Sequence, residues 1–459
     1  MEMINNHFLC TTISKSLLQR SFVYGRRGAG ECRFFAPAKR MAGRLLRMTF
    51  IGLVFAFSQQ TNVVVLQNAD VFSGRQLPNG ENVRELQGNV RFKQGNVRVW
   101  CDKAIQFLSR NEIELIGNVK IVRDTVTLTS KMGRYYGNQR KADGEGNVKL
   151  KTTNVTLYAD FGTYYFDEKR AFFQRNVRII DSTTTIYSEQ LTYYEKERKS
   201  IALLNVKIVN AGNNATMYGN YLEHFDSTRY SKMTENPRLM QIDTTEKGEI
   251  DTLAVKSIVM ESFDDSTKRL IAADSVAIVR GGLAARCGLV EYFTGEERIE
   301  LYQKPVVWYN ENQVTGDTIF LKLEKKRLKT ATVRTRAFVL SQSDSVYPMR
   351  YNQLTGRMIT LRFNDNKLQE TFVERNAVSL YFLYNDTLPN GVNKTSGDYI
   401  LMKFNEGKPS TIHVSKGIEG SYYPENLAEK DESRYNLDGF QLFTNRPTYA
   451  TIFPLKPKL

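Results

Sequence analysis

The sequence predicts an all-β protein built of stacked repeats, and three observations lead to this prediction. Asn-Val pairs begin at five positions that lie 29 residues apart, namely Asn89, Asn118, Asn147, Asn176 and Asn205. After each pair, apolar and basic residues alternate, which is the periodicity of a β-strand. Turn-forming dipeptides such as Gly137-Asn138 separate the alternating runs. A constant period of this kind indicates a repeat architecture, in which each unit buries its apolar face against the next.

Each repeat contains three alternating runs. The first follows the Asn-Val pair, as at 89–92, and the second follows a short turn, as at 97–101. The third carries an aromatic residue at a fixed offset, which is Phe107, Tyr136, Tyr165 or Tyr194. We therefore predict about three short strands and no helix in each unit, with the Asn, which follows Gly in several units, acting as a turn residue.

The second half of the chain is a looser version of the first. Ser275 and Lys304 begin runs that are again 29 residues apart, and the runs at 336–339 and 376–378 continue the pattern with longer insertions. Residues 241–251 are charged and contain Thr and Gly, which indicates a boundary. We predict one module at 60–245, a more divergent module at 246–420 and a C-terminal tail at 421–459.

The sequence predicts that residues 1–58 are a leader and not part of the fold. Arg44 and Arg47 precede the apolar run 48–57, and small residues close the segment before Gln59. This order is typical of a secretory signal peptide, so we expect an exported protein. Met41 or Met48 would make a conventional start for such a signal.

Composition excludes several classes of protein. The chain has 459 residues, 41% of them hydrophobic, and we find no run of the roughly 18–20 apolar residues that a membrane-spanning helix needs. A polytopic helical membrane protein is therefore excluded. The net charge is +15, and about half of it lies in residues 1–58. The remaining basic excess suits an anionic partner, although a basic, solvated surface explains it equally well.

Residues suited to catalysis or metal binding are scarce after the leader. Only Cys101, Cys287, His224 and His413 represent cysteine and histidine there, and we find no phosphate loop, zinc motif or nucleophile elbow. We therefore predict no enzymatic activity, no metal and no cofactor. Both cysteines lie twelve residues after a repeat start, in a slot that other repeats fill with small residues (Ser130, Ala159, Ser188), so we expect them to pack rather than to form a disulfide.

Acidic residues also share one slot, and they are easily mistaken for catalytic carboxylates. Asp102, Asp160 and Glu189 lie at this position, and Lys131 interrupts the series. Their place in the alternation predicts turn or outer-face residues.

Stacked repeats place side chains of one kind in ladders, because successive residues of a strand point to opposite faces. The apolar ladder contains our candidate groove residues, which are Val90, Phe92, Val99, Ile121, Leu128, Leu150, Leu157, Ile179, Ile186 and Ile208. The basic ladder contains the candidate anion contacts Arg91, Lys120, Lys149, Arg178 and Lys207, and Arg238 continues it. The apolar ladder forms either a core or the lining of a long groove. The basic ladder forms either an anion track or an exterior that keeps the sheet soluble.

The recurring Gly-Asn-Val-basic-apolar segments at 88–92, 117–121 and 146–150 resemble the OstA/LptA family of lipopolysaccharide-transport proteins. The resemblance is good over about residues 60–240 and weaker over 246–420. It implies an elongated, open β-jellyroll in two tandem OstA-like modules. It also implies that the inner apolar face holds the acyl chains of lipid A, and that the end strands join further copies or partner jellyrolls.

The function implied by this resemblance is that of a periplasmic carrier or bridge protein for lipopolysaccharide in the Gram-negative envelope. Its partners would be lipopolysaccharide, other jellyroll proteins or itself, and the inner- and outer-membrane transport complexes. We expect no nucleic-acid partner, and an association with the outer membrane would fit this role. The alternative is an exported parallel β-helix that binds or cleaves polysaccharide, since coils of this repeat length also produce stacked ladders.

Overall fold

The computed structural model describes residues 63–454, except 154, 181–183, 213, 245–247, 249, 326, 345, 366, 406–407 and 430. The predicted leader lies outside the described residues. The first half of the described chain consists of the strands β1 Val65–Asn68, β2 Val71–Gln76, β3 Asn82–Gln94, β4 Val97–Phe107, β5 Glu112–Arg123, β6 Val126–Tyr136, β7 Lys141–Lys151, β8 Thr156–Tyr165, β9 Arg170–Ile180, β10 Thr184–Tyr194, β11 Lys199–Asn210 and β12 Ala215–Phe225.

The second half continues in the same way with shorter and then longer strands. They are β13 Tyr230–Thr234, β14 Arg238–Thr244, β15 Ile250–Lys256, β16 Val259–Phe263, β17 Arg269–Arg280, β18 Leu283–Phe293, β19 Arg298–Tyr302, β20 Val306–Tyr309, β21 Asn312–Thr315, β22 Thr318–Glu324, β23 Arg327–Gln342, β24 Tyr351–Asn364, β25 Lys367–Asn385, β26 Leu388–Asn405, β27 Lys408–Ser415 and β28 Glu419–Tyr423. Two short helices follow, α1 Glu425–Ala428 and α2 Tyr449–Ile452, and 3-10 turns lie at Thr294–Glu296 and Glu432–Tyr435. Within the described residues, no helix has the length and apolar character needed to cross a membrane.

All 28 described strands join one sheet, and each strand pairs mainly with its neighbours along the chain. Every pairing between described strands is antiparallel, for example β3 with β4 and β4 with β5. The prediction of an all-β protein of stacked repeats is confirmed, and the alternative of a parallel β-helix is wrong. Each unit supplies two long strands rather than three short ones, because the runs at 97–101 and around Phe107 both lie in β4.

The repeated Asn is the site of a β-bulge inside a strand, and the predicted turn is not formed there. Asn89 and Asn118 have φ values of 46° and 44°, and the preceding Gly117 has a φ of 76°. The pairing register of β4 with β5 shifts at this point, between Trp100 and Lys103. A bulge bends the strand without ending it, which explains why two sequence runs form one strand.

Carboxylates hold these bulges in place. The side-chain amide of Asn89 donates a 2.8 Å hydrogen bond to Asp70. The same bond joins Asn118 to Asp102 at 2.9 Å and Asn176 to Asp160 at 2.7 Å. Two of the acidic residues singled out in the sequence therefore stabilise the bulges.

The bulges divide the first half of the sheet into two half-sheets. The A half-sheet contains the described residues of 89–101, 118–130, 147–159, 176–188 and 205–219, and the B half-sheet contains residues 102–117, 131–146, 160–175 and 189–204. Side chains from both, such as Phe92 and Val99 of A and Ala104 and Leu115 of B, belong to one buried cluster. The two half-sheets therefore face each other across a common core, as in a jellyroll.

A second core cluster occupies residues 255–402, and the half-buried Met217 packs against both clusters. The proposed boundary at 241–251 lies in the β14–β15 hairpin, whose strands pair from Arg238 opposite Lys256 to Thr244 opposite Ile250. The sheet therefore runs without interruption through this segment. The division into modules at 60–245 and 246–420 stays a prediction.

The C-terminal tail, residues 424–454, packs back along the outside of the sheet. Trp308 donates a 3.3 Å bond to the carbonyl oxygen of Phe443, and Gln313 donates a 2.7 Å bond to that of Gln441. Near its end, Phe453 lies edge-on to Tyr218, with ring centroids 6.0 Å apart.

Candidate functional site

Nine of the ten candidate groove residues form one continuous inner ladder across the A half-sheet. The strand register places Phe92 opposite Val99 and Val99 opposite Ile121. The same series continues through Leu128, Leu150, Leu157, Ile179, Ile186 and Ile208. Beyond them it reaches Met217 and Leu239. Val90 lies on the same inner side, opposite Cys101. The period-two alternation in the sequence therefore predicted which side chains share a face.

Burial changes along this ladder. From Val90 to Leu157 the candidate residues are at most 3% exposed and belong to the packed core. Ile179, Ile186 and Ile208 are only half-buried, and so are the next two members, Met217 and Leu239. We call these five consecutive residues the apolar window. Contact of any of the ten candidate residues with a lipid stays a prediction.

Where the residues of the inner ladder are fully buried, hydrogen bonds connect the two half-sheets. Gln94 at the end of β3 donates to the carbonyl oxygen of Gly137 at 3.0 Å and accepts from the Tyr135 hydroxyl at 2.5 Å. The Arg123 guanidinium at the end of β5 donates to the carbonyl oxygen of Phe166. These bonds join the tips of A strands to the tips of B strands over β3–β8. The window begins at the next strand, β9.

Met217 and Leu239 were not predicted as groove residues from the sequence. Leu239 lies three residues after Asn236, which is the offset of Ile208 from Asn205, but Pro237 replaces the Val of the repeated pair. Met217 lies 31 rather than 29 residues after Ile186. A repeat search that allowed two extra residues in a unit would have identified both.

The basic residues lie on the opposite, outer side of the A half-sheet. Four of the five candidate anion contacts are exposed, and Lys149 is half-buried. The strand register alternates them with aromatic residues, for example Arg91 opposite Trp100 and Arg178 opposite Tyr187. The cations lie near the ring faces: Arg178 is 4.9 Å and Lys149 is 5.4 Å from the Tyr158 ring centroid. Anion binding by these residues stays a prediction.

The two cysteines in the described chain are free and buried. Cys101 is 5% and Cys287 is 7% exposed, and each pairs across the sheet with a valine. Burial raises the pKa of both thiols to about 12, so they are protonated at neutral pH. Such thiols are poor nucleophiles, which fits the predicted packing role.

No group of three or more His, Cys, Asp or Glu in the described part of the chain is arranged to hold a metal ion. His224 lies in β12, where its Nδ1 is 2.9 Å from the Ser231 hydroxyl. His413 lies in β27, opposite Leu401.

Comparison with known proteins relates the first part of the described chain to a family. Residues 61–218 match the family described as OstA-like protein. A similar solved structure is that of LptH from Pseudomonas aeruginosa, described as the LptA homologous periplasmic component of the lipopolysaccharide transport device. The match has 12% sequence identity and a TM-score of 0.25, and covers 31% of this chain and 95% of LptH. No curated protein sequence matches the chain. Residues 61–218 of this chain are therefore an OstA-like domain.

Proposed function

We propose that this protein is a non-enzymatic periplasmic carrier of lipopolysaccharide, and that the acyl chains of lipid A enter its interior at the apolar window. The OstA-like domain at residues 61–218 supports the general role, which the resemblance to the OstA/LptA family implies. The observation that carries the specific proposal is the change in burial along the inner ladder. Leu157 is 2% exposed, whereas the next member, Ile179, is half-buried.

The chemistry of the window suits an acyl chain. Its five side chains are all aliphatic or thioether groups, and they follow one another across five consecutive paired strands, β9, β10, β11, β12 and β14. A hydrocarbon chain along this line would remove apolar surface of both partners from water, at about 0.8 kcal/mol for each buried methylene group. Met217 adds adaptability, because the unbranched thioether fills irregular space.

Strand addition at the sheet ends is the proposed route to larger assemblies. β1 and β2 each pair only with β3 among the described strands, and at the other end β27 and β28 each pair only with β26. All six residues of β2 are exposed, and Phe72 is 58% exposed. Free edges of this kind accept a further strand. The partners would be other jellyroll proteins or a second copy, and through them the transport complexes of the inner and outer membranes.

Photocrosslinking in cells tests the lipid site directly. A photoreactive residue at Ile208 reports on the window, and the same residue at the adjacent Lys207, which is exposed on the outer face, serves as a control. A second control at Leu150, which is 2% exposed, reports on the filled core. We expect a glycolipid adduct at position 208 and at neither control.

Three results would contradict this proposal. The first is the absence of a lipid adduct at position 208 in protein that is folded and exported. The second is an equal yield at position 207, because the lipid would then contact the outer face. Mass analysis of the adduct distinguishes lipopolysaccharide from phospholipid, and a phospholipid alone would also count against the proposed cargo.

A further inference from the structure

The outer face of the A half-sheet carries a repeated arrangement of three chemical groups. Strands β8, β10 and β12 each present the pattern Thr-x-Tyr, at Thr156–Tyr158, Thr185–Tyr187 and Thr216–Tyr218. Between them, β9 and β11 present Arg178 and Lys207 opposite the tyrosines. The row extends to the other end of the half-sheet in register, through Lys149, Thr129, Lys120, Trp100 and Arg91. We call this series, from Arg91 to Tyr218, the outer row.

The spacing of the outer row follows from sheet geometry. Neighbouring strands lie about 4.8 Å apart, so a cation recurs every 9.6 Å or so along the row, with a ring or Thr129 between successive cations. Tyr187 is 40% exposed, and the other rings are half-buried. Rings, hydroxyl groups and cations therefore form a surface with a repeat, which suits a ligand that is itself a polymer.

Charge is unequally distributed between the two half-sheets. In the first four repeats and the start of the fifth, residues 89–217, the A segments hold nine Lys and Arg against two Asp, whereas the B segments hold twelve basic residues against eleven acidic ones. Eight of the twelve B cations form ion pairs in the described structure, at Arg110, Arg134, Arg140, Lys141, Lys169, Arg170, Arg198 and Lys199. Among the A cations, only Arg123 forms an ion pair with a described residue. A general need for solubility would not produce this difference between the two half-sheets.

The tail covers the continuation of this face in the second half of the chain. There the outward residues are apolar and buried, for example Ala284, Leu340 and Leu380, which are at most 1% exposed. Phe443 of the tail packs against the cluster that contains Ala284 and Trp308. The described tail contacts end where Phe453 meets Tyr218, the last ring of the outer row. Within the described residues, the tail thus covers the apolar part of the outer face, and of the outer row it meets Tyr218.

We propose that the outer row binds a linear acidic polysaccharide, that is, a sugar chain with recurring carboxylate or phosphate groups. Sugar rings would stack on Trp100 and the tyrosines, threonine hydroxyls would bond to sugar hydroxyls, and the cations would pair with the acidic groups. The row lies on the face opposite the apolar window. This activity is therefore independent of lipid binding, and either one is testable without the other.

The composition of the face favours a polysaccharide over the other polyanions. Binding to a membrane surface typically uses large apolar side chains that enter the lipid layer, whereas threonines occupy the positions beside the rings. A nucleic-acid surface also combines rings with cations, but the periplasmic location in the proposed function separates the protein from cytoplasmic nucleic acid. Both alternatives are outcomes of the experiment below.

Titration at low salt with five probes tests the proposal: polygalacturonate, a phosphomannan, uncharged dextran, oligo-dT and anionic phosphatidylglycerol vesicles. Binding is followed by the fluorescence of Trp100 in a Trp308→Phe background and by calorimetry. We expect binding of at least one acidic polysaccharide, no binding of dextran, and weakening with added salt. The double variant Tyr158→Thr/Tyr187→Thr keeps the charge and introduces the residue found naturally at position 129. We expect it, and Lys149→Gln/Arg178→Gln, to weaken binding about tenfold or more.

Matched controls separate this surface from general charge and from the lipid site. Lys103→Gln/Lys131→Gln removes two exposed charges from the B half-sheet, and we expect it to change the affinity less than twofold. Ile208→Asp, which alters the window, should leave polysaccharide binding unchanged. Unaltered affinity in the folded tyrosine variant would overturn the proposal, and so would a failure of both acidic polysaccharides to bind. Tighter binding of oligo-dT, or binding only to anionic phosphatidylglycerol vesicles, would overturn it as well.

Discussion

The side-chain amide of Asn118 donates a 2.9 Å hydrogen bond to the carboxylate of Asp102, sixteen residues earlier in the chain. Asn118 has a φ of 44°, a left-handed conformation that asparagine tolerates better than most residues. The bond fixes the bulge at which the strand bends between the two half-sheets. A repeated sequence pair that has the composition of a turn therefore sets the shape of the jellyroll.

Replacement of Asn118 by Ala should destabilise the protein by more than the same change at Asn147. Both residues have positive φ, but the slot opposite Asn147 holds Lys131, and the Asn147 amide makes no corresponding bond to a described residue. The difference between the two variants should be about 1 kcal/mol, the typical net contribution of one hydrogen bond. Urea unfolding of both variants measures it, and equal losses would argue against a stabilising role for Asp102.

The glycine before the bulge offers a second comparison. A Cβ at Gly117 would collide with the Asp102 carboxylate, whereas a Cβ at Gly146 would lie 3.3 Å from the flexible Lys131 side chain. Both glycines have φ above 70°, so the backbone cost is shared. We expect Gly117→Ala to lower the midpoint of thermal unfolding clearly more than Gly146→Ala. Similar midpoints would show that the Asp102 side chain moves aside freely.

Ser130 should tolerate replacement by Ala without loss of stability. Its hydroxyl is buried in the small-residue slot and makes no hydrogen bond to any described residue. Removal of an unsatisfied buried hydroxyl relieves its desolvation cost, so we expect Ser130→Ala to gain up to about 1 kcal/mol. Chemical denaturation provides the value. A clear loss of stability would indicate a partner such as an ordered water molecule.

Arg350 should hold the tail on the sheet. Its side chain is 1% exposed and bonds to Glu425 at 2.7 Å and to Glu432 at 2.6 Å. Removal of one partner from a buried ion pair costs about 3–5 kcal/mol, so Arg350→Met should release the tail. We expect rapid chymotrypsin cleavage near Tyr435 in this variant. Arg446→Gln, which alters an exposed contact of the same tail, is the control and should be cleaved no faster than the wild type.

The two parts of the inner ladder should respond differently to charge. Ile121 is 2% exposed within the core, so Ile121→Asp should unfold the protein, because it buries an unpaired carboxylate. Ile208 is half-buried, and Ile208→Asp should leave the fold intact while lipid binding is lost. Circular dichroism and the photocrosslinking assay separate the two effects. Retained lipid binding in folded Ile208→Asp would exclude this window as the binding site.

Much of the sheet was predictable because its information is local. A period of two determines which side chains share a face, so the alternation after Asn89 correctly placed Phe92 inside and Arg91 outside. The role of the Asn-Val pair was harder to predict from the sequence. A Gly-Asn dipeptide suits a turn and a bulge equally well, and the Asp102 partner that distinguishes them lies sixteen residues away.

The sequence alone therefore determined the strand content, the repeat and the separation of an apolar from a basic face, since these depend on residues within a few positions of one another. Only the tertiary structure decided where the interior is closed and which outer surface stays open. Gln94 meets Gly137, and Trp308 meets Phe443, across distances of 43 and 135 residues along the chain. Contacts of this kind depend on how the whole sheet bends, and a local pattern carries no information about them.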